Sequence, residues 1–138
     1  MQQENDFILR EIQKMTLFFI QLISQASSMK LPGLEVEINN ISEELKAKID
    51  LSISEIIELE NTKLLLKINT LNVLHIEKIT ELIYEILKKT HKTDKIYGFD
   101  QKELALKNIL LIKHLDHHSN TLSIKRIEMK NMLQQWIE

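Results

Sequence analysis

Apolar residues recur along this chain at the three- and four-residue steps of amphipathic helices. From Asp6, a residue suited to cap a helix, Ile8, Ile12, Met15, Phe19, Leu22, Ile23 and Ala26 fall on one face and predict a first helix ending near Ser28. Phe7, Leu9, Leu17, Phe18 and Ile20 widen that apolar arc beyond what one packed face requires. The first helix is therefore expected either to lie at the centre of the fold or to touch a partner.

Pro32-Gly33 marks a loop, after which Leu34, Ile38, Ile41, Leu45 and Ile49 outline a second helix whose other face carries Glu37, Glu44 and Lys48. Ser52 with Glu55 three residues on reads as a capping box opening a helical stretch with Ile53, Ile56 and Ile57. Asn61-Thr62 is expected to break it before residues 64–68. Asn72 caps the next helix, in which Ile76, Ile79, Ile83 and Ile86 form the apolar face and Glu77, Glu81 and Glu85 the wetter one, ending near Thr90. Residues 91–99, with Lys92, Lys95 and Gly98, read as an exposed loop. Asp100 caps a further helix with Leu104, Ala105, Ile109, Ile112 and Leu115 on one side and Leu106 and Leu110 on another, so this helix too is expected at the centre. After a break at Ser119-Asn120, Leu122, Met129, Met132, Leu133 and Trp136 face one way on the last helix. The pattern predicts an all-α fold, a single-domain bundle of five to seven helices over residues 1–138.

Composition narrows the function. Isoleucine and leucine supply 43 of the 60 apolar residues and valine only two, a bias towards helix over sheet. At 138 residues a single domain buries roughly 70% of its unfolded surface and needs no staple to fold. With no cysteine there is no disulfide, thiolate nucleophile or thiolate-ligated metal, which fits a reducing compartment. Two isolated glycines, Gly33 and Gly98, cannot form a phosphate-cradling loop, so P-loop and dinucleotide folds drop out. The acidic start and the short apolar run at residues 17–20 match neither a secretory signal nor a membrane span. A cytoplasmic protein outside the membrane is expected.

The run Glu4-Asn5-Asp6-Phe7-Ile8-Leu9-Arg10-Glu11-Ile12, followed by a helix pair over residues 72–118 and a final helix, resembles an uncharacterised bacterial family of small all-helical proteins related to tetratricopeptide repeats. The resemblance implies TPR-like helix-turn-helix packing in the C-terminal half, with Ala105 as the candidate small packing residue. It brings no catalytic residues. Because a solenoid unit cannot bury its face alone, it also implies that the first helices act as a cap or that a second subunit stacks on the pair.

Four groups of side chains bear on chemistry. His114, His117 and His118 stand at i, i+3 and i+4 on one side of a helix, a spacing that zinc or nickel accepts, near Glu103 and Lys107 on the wet side. Asp116 points away from them, and Asp116, His117 and Ser119 are too close along one helix to converge as a hydrolase triad. His75 and His91 read as surface or capping residues, and Glu77, Glu81 and Glu85 as a solvated, lysine-laced face. Lys88, Lys89, Lys92, Lys95, Lys125, Arg126 and Lys130 give residues 76–138 eleven basic and nine acidic groups, but two arginines in the whole chain are few for a nucleic-acid reader.

What remains is the apolar surface. The expected function is a non-enzymatic interaction or adaptor module without cofactor or nucleic acid, binding a protein partner or a second copy through Phe7, Leu17, Phe18 and Trp136. The alternative is a metal-binding protein built on His114, His117 and His118.

Overall fold

A computed structural model describes residues 2–30, 32–91, 100–119 and 121–138. Among them the chain forms seven helices and no strand: α1 (Gln2–Ser28), α2 (Leu34–Ile49), α3 (Ile53–Glu58), α4 (Asn61–Ile68), α5 (Val73–Thr90), α6 (Gln101–His118) and α7 (Ile124–Ile137). The expected loop at residues 91–99 lies outside the described residues except for His91, so Lys92 and Lys95 are not placed.

Local chemistry sets most of the boundaries. At α3 the Ser52 hydroxyl accepts from the Glu55 N–H at 3.1 Å while the Glu55 carboxylate accepts from the Ser52 N–H at 3.0 Å, completing the capping box. Asn72 caps α5 by accepting from the Leu74 N–H at 2.9 Å, and Asp100 caps α6 by accepting from the Glu103 N–H at 3.0 Å. Gly33, which leads into α2, has a φ of 106°, a left-handed conformation that a side chain would strain.

Three expected boundaries move. Helix α1 begins at Gln2 rather than after Asp6, because Gln2, Gln3 and Glu4 are good helix formers and Glu4 complements the N-terminal dipole. Asn61-Thr62 starts α4 instead of breaking a helix; the break falls at Leu59 and Glu60, both extended. Ser123 caps α7 by accepting from the Arg126 N–H at 3.2 Å, which leaves Leu122 outside the helix and 84% exposed.

The core is built around α5, which lies against both α1 and α6 and buries ten of its eighteen residues. Leu82, Ile83 and Ile86 are fully enclosed there, together with Leu104, Leu111 and Ile112 of α6. Helices α5 and α6 pack as neighbours, α7 lies on α6, and the short α2–α4 segment closes the bundle against α1 and α6. Helix α1, expected either at the centre or against a partner, lies at the edge: among its described residues only Phe19, Leu22 and Ala26 are fully buried.

Candidate interaction surface

The N-terminal third of α1 extends past the bundle. The whole of α1, 27 residues, is about 40 Å long at 1.5 Å per residue, and its hydrogen-bonded seam with α5 begins at Ile12. There the His75 Nε2 lies 3.3 Å from both the Ile12 carbonyl oxygen and the Thr16 hydroxyl, and its ring packs 5.8 Å from that of Phe19. His75 is thus a buried residue of the α1–α5 seam, not the surface or capping residue expected from its place in the sequence. Before this seam every residue from 3 to 11 is exposed, Phe7 at 62% and Ile8 at 54% among them. Ile8 continues the stripe of Ile12, Met15, Phe19, Leu22 and Ala26, yet more than half of it is left exposed. Leu9, Leu17 and Ile20 of α1 and Val73 and Leu74 of α5 are exposed as well.

The four expected contact residues divide into two pairs. Phe7 and Leu17 face solvent. Phe18 is half-buried, edge-on to Phe19 at 5.4 Å with the Lys48 ammonium 5.5 Å from its ring centre. Trp136 stacks against Tyr84 at 5.5 Å and His91 at 4.2 Å, holding the end of α7 on α5. The rings of Phe18 and Trp136 thus also take part in the protein's own packing.

A polar seam missed by the sequence pattern fastens α7. Arg126 is buried; its Nε donates to Asp116 at 2.8 Å, its Nη1 to Glu77 at 2.9 Å and its Nη2 to the Thr121 carbonyl at 3.2 Å. Glu81, expected on the wet side, is also buried, with the Lys125 and Lys78 ammoniums at 3.3 and 3.4 Å. The burial has a physical reason: the first turn of α7 brings Lys125 and Arg126 beside this face of α5 and supplies cations that compensate the carboxylates. The available signal was the step Arg126, Met129, Leu133, which places an arginine on the buried stripe of α7. Glu85 is half-buried and pairs with Lys88 at 3.5 Å, so none of the three glutamates keeps the freely solvated role expected of them.

Several other titratable groups are similarly engaged. Lys107, expected on the wet side, is buried and donates to the Leu59 carbonyl and, at 2.9 Å, to Asn61, joining the end of α3 to the start of α4. Asp116 is held by Arg126 and the Ser119 hydroxyl lies 2.9 Å from that of Thr121, so no triad forms with His117. His114 Nε2 is 2.7 Å from Asn69 Oδ1, and His118 Nδ1 is 2.9 Å from the His114 carbonyl. Burial first, then neighbouring His118 and His117, lowers the pKa of His114 and favours its neutral form. Among the described residues no group of three His, Cys, Asp or Glu side chains is placed to hold one ion, so the expected three-histidine centre is not assembled.

No helix among the described residues is long and apolar enough to cross a membrane. No family model matches this chain, and neither a curated protein nor a solved structure is significantly similar to it.

Proposed function

We propose that the chain is a non-enzymatic helical interaction module, in which the extended end of α1 docks its apolar side chains on a partner helix or on a second copy of the protein. The observation that carries this reading is the exposure of Phe7, Ile8, Leu9 and Leu17 on a helix that is continuous with the core stripe. Exposed aromatic and aliphatic anchors on a preformed helix suit insertion into an apolar groove, since little backbone order remains to be gained on binding.

Magnitudes set the kind of contact. Fully burying one such side chain stabilises by about 1.5–3 kcal/mol; the four are already about half covered, so docking adds about 3–6 kcal/mol in total. Association costs about 4–15 kcal/mol before any contact is made. The free end alone therefore supports weak, reversible binding, and a tight complex must also cover Ile20, Val73 and Leu74. The adjacent packing of α5 and α6 supports the helix-turn-helix element of the reading, with α1 as its flank.

Sedimentation velocity across a concentration series, alone and with any co-purifying protein, tests this on the wild type and on Phe7→Glu and Leu17→Glu. Association that both substitutions abolish, with the helical circular dichroism unchanged, is the expected result. Association that neither affects, or no association at any concentration and with any co-purifying protein, overturns it.

A further inference from the structure

His114 and His118 make a more specific arrangement than the three-histidine spacing suggested. They lie one turn apart at the C-terminal end of α6, with ring centres 4.2 Å apart and ring planes at 42°. A carbonyl oxygen can only accept, so the 2.9 Å contact of His118 Nδ1 with the His114 carbonyl puts the proton on Nδ1 and leaves Nε2 a free lone pair. Likewise His114 Nε2 donates to Asn69 Oδ1 at 2.7 Å, leaving Nδ1 as the free lone pair. Each imidazole thus has one nitrogen fixed by an outer hydrogen bond and one free, the arrangement that orients metal-binding histidines.

The spacing fits a single ion. A metal–nitrogen bond of about 2.0–2.1 Å places an ion about 3.2 Å from the centre of each ring that binds it, so two rings bound at a cis angle have centres about 4.5 Å apart, close to the 4.2 Å between these two. His118 is exposed and His114 half-exposed, so a hydrated ion reaches both, with water in its other positions. Two imidazoles without a carboxylate select a borderline transition metal over magnesium or calcium, which require oxygen ligands.

We propose that His114 Nδ1 and His118 Nε2 chelate one divalent transition-metal ion of the nickel, copper or zinc class, with Asn69 and the His114 carbonyl as outer partners and His117 outside the site. The bound ion clamps the last turn of α6 and rigidifies its contact with Asn69 at the end of α4. This site is independent of the α1 surface.

Calorimetric titration of the untagged full chain with nickel(II), and separately with magnesium, tests the assignment. Expected is saturable binding of one nickel ion per chain, weakened at least tenfold by His114→Ala and by His118→Ala, and changed less than twofold by His117→Ala. Asn69→Ala, which removes an outer partner, is expected to weaken binding about tenfold, and magnesium to give no binding. Thermal unfolding supplies a second readout: nickel raises the midpoint of the wild type and of His117→Ala but not of His118→Ala, whose exposed site leaves the fold intact. Absence of saturable nickel binding, or a loss in His117→Ala equal to that in His118→Ala, overturns the proposal.

Discussion

The two ends of α1 carry similar side chains and meet opposite fates. Phe19, Leu22 and Ala26 are buried against the bundle, whereas Phe7, Ile8 and Leu9 are exposed, although Ile8 and Phe19 lie on the same stripe. Amphipathic spacing therefore defines which face of a helix can pack, and the reach of the neighbouring helix decides how much of that face does. Here the start of α5, marked by His75 beside Ile12 and Thr16, sets the limit.

The largest expected effect breaks the comparison if it fails. Phe19→Ala should destabilise the fold by about 3–5 kcal/mol through lost burial and a residual cavity, while Phe7→Ala should change stability by less than about 0.5 kcal/mol. Urea unfolding of both variants checks this, and equal losses would show that the free end packs. Helix α7 offers a contrast in kind, an edge helix fastened by charge. Arg126→Ala strips the partner from Glu77 and Asp116, and because those carboxylates are partly solvated the expected loss is about 2 kcal/mol. The same unfolding measurement reads it, and Trp136 fluorescence should report a loosened α7.

Smaller effects sharpen the picture away from α1. Ser52→Ala removes one side of the capping box and should cost about 1 kcal/mol. The weakest contribution is electrostatic. The Lys46 ammonium lies 2.9 Å from Asp50 and 2.8 Å from Glu55, and hydrogen bonding to it is the main cause that lowers both carboxyl pKa values from 3.8 and 4.5; those bonds in turn raise the pKa of Lys46. The carboxylates bind protons less readily folded than unfolded, so their contribution is complete above about pH 4.5 and falls away as pH drops through the lowered folded values. The contribution of Lys46 is complete below its ordinary 10.5 and is lost as pH rises through its raised value. Lys46 and Asp50 are solvent-exposed and Glu55 only half-buried, so the expected effect is a shallow slope. Lys46→Met should flatten the acid limb of a stability–pH profile, and an unchanged limb would remove the pair from the account.

How much was legible follows from the sequence distance of each partner. The caps at Ser52, Asn72 and Asp100 act within three residues and could be read directly, as could the apolar faces of α2 and α5. The buried polar residues could not. His75 meets Thr16 and Ile12, Lys107 meets Asn61, Arg126 meets Glu77, and buried Asn108 donates to the Thr80 carbonyl at 3.1 Å, each partner lying on a distant segment. Spacing alone assigned these residues to water, or left them unassigned, because it carries no information on which helix crosses over them. The same gap left the position of α1 open between two alternatives: wide apolarity is shared by a central helix and by one that presents a binding face. For the histidines, spacing grouped three residues where the hydrogen bonds orient two.

The central claim is that the N-terminal third of α1 is helical but without a packing partner among the described residues of the isolated chain. Hydrogen–deuterium exchange along α1 in dilute protein tests it most directly. Slow exchange over residues 19–26 with fast exchange over residues 3–11, the latter slowing when the protein associates, is the predicted result. Equal, slow exchange along the whole helix in dilute monomer would contradict it, since the end of α1 would then already be packed.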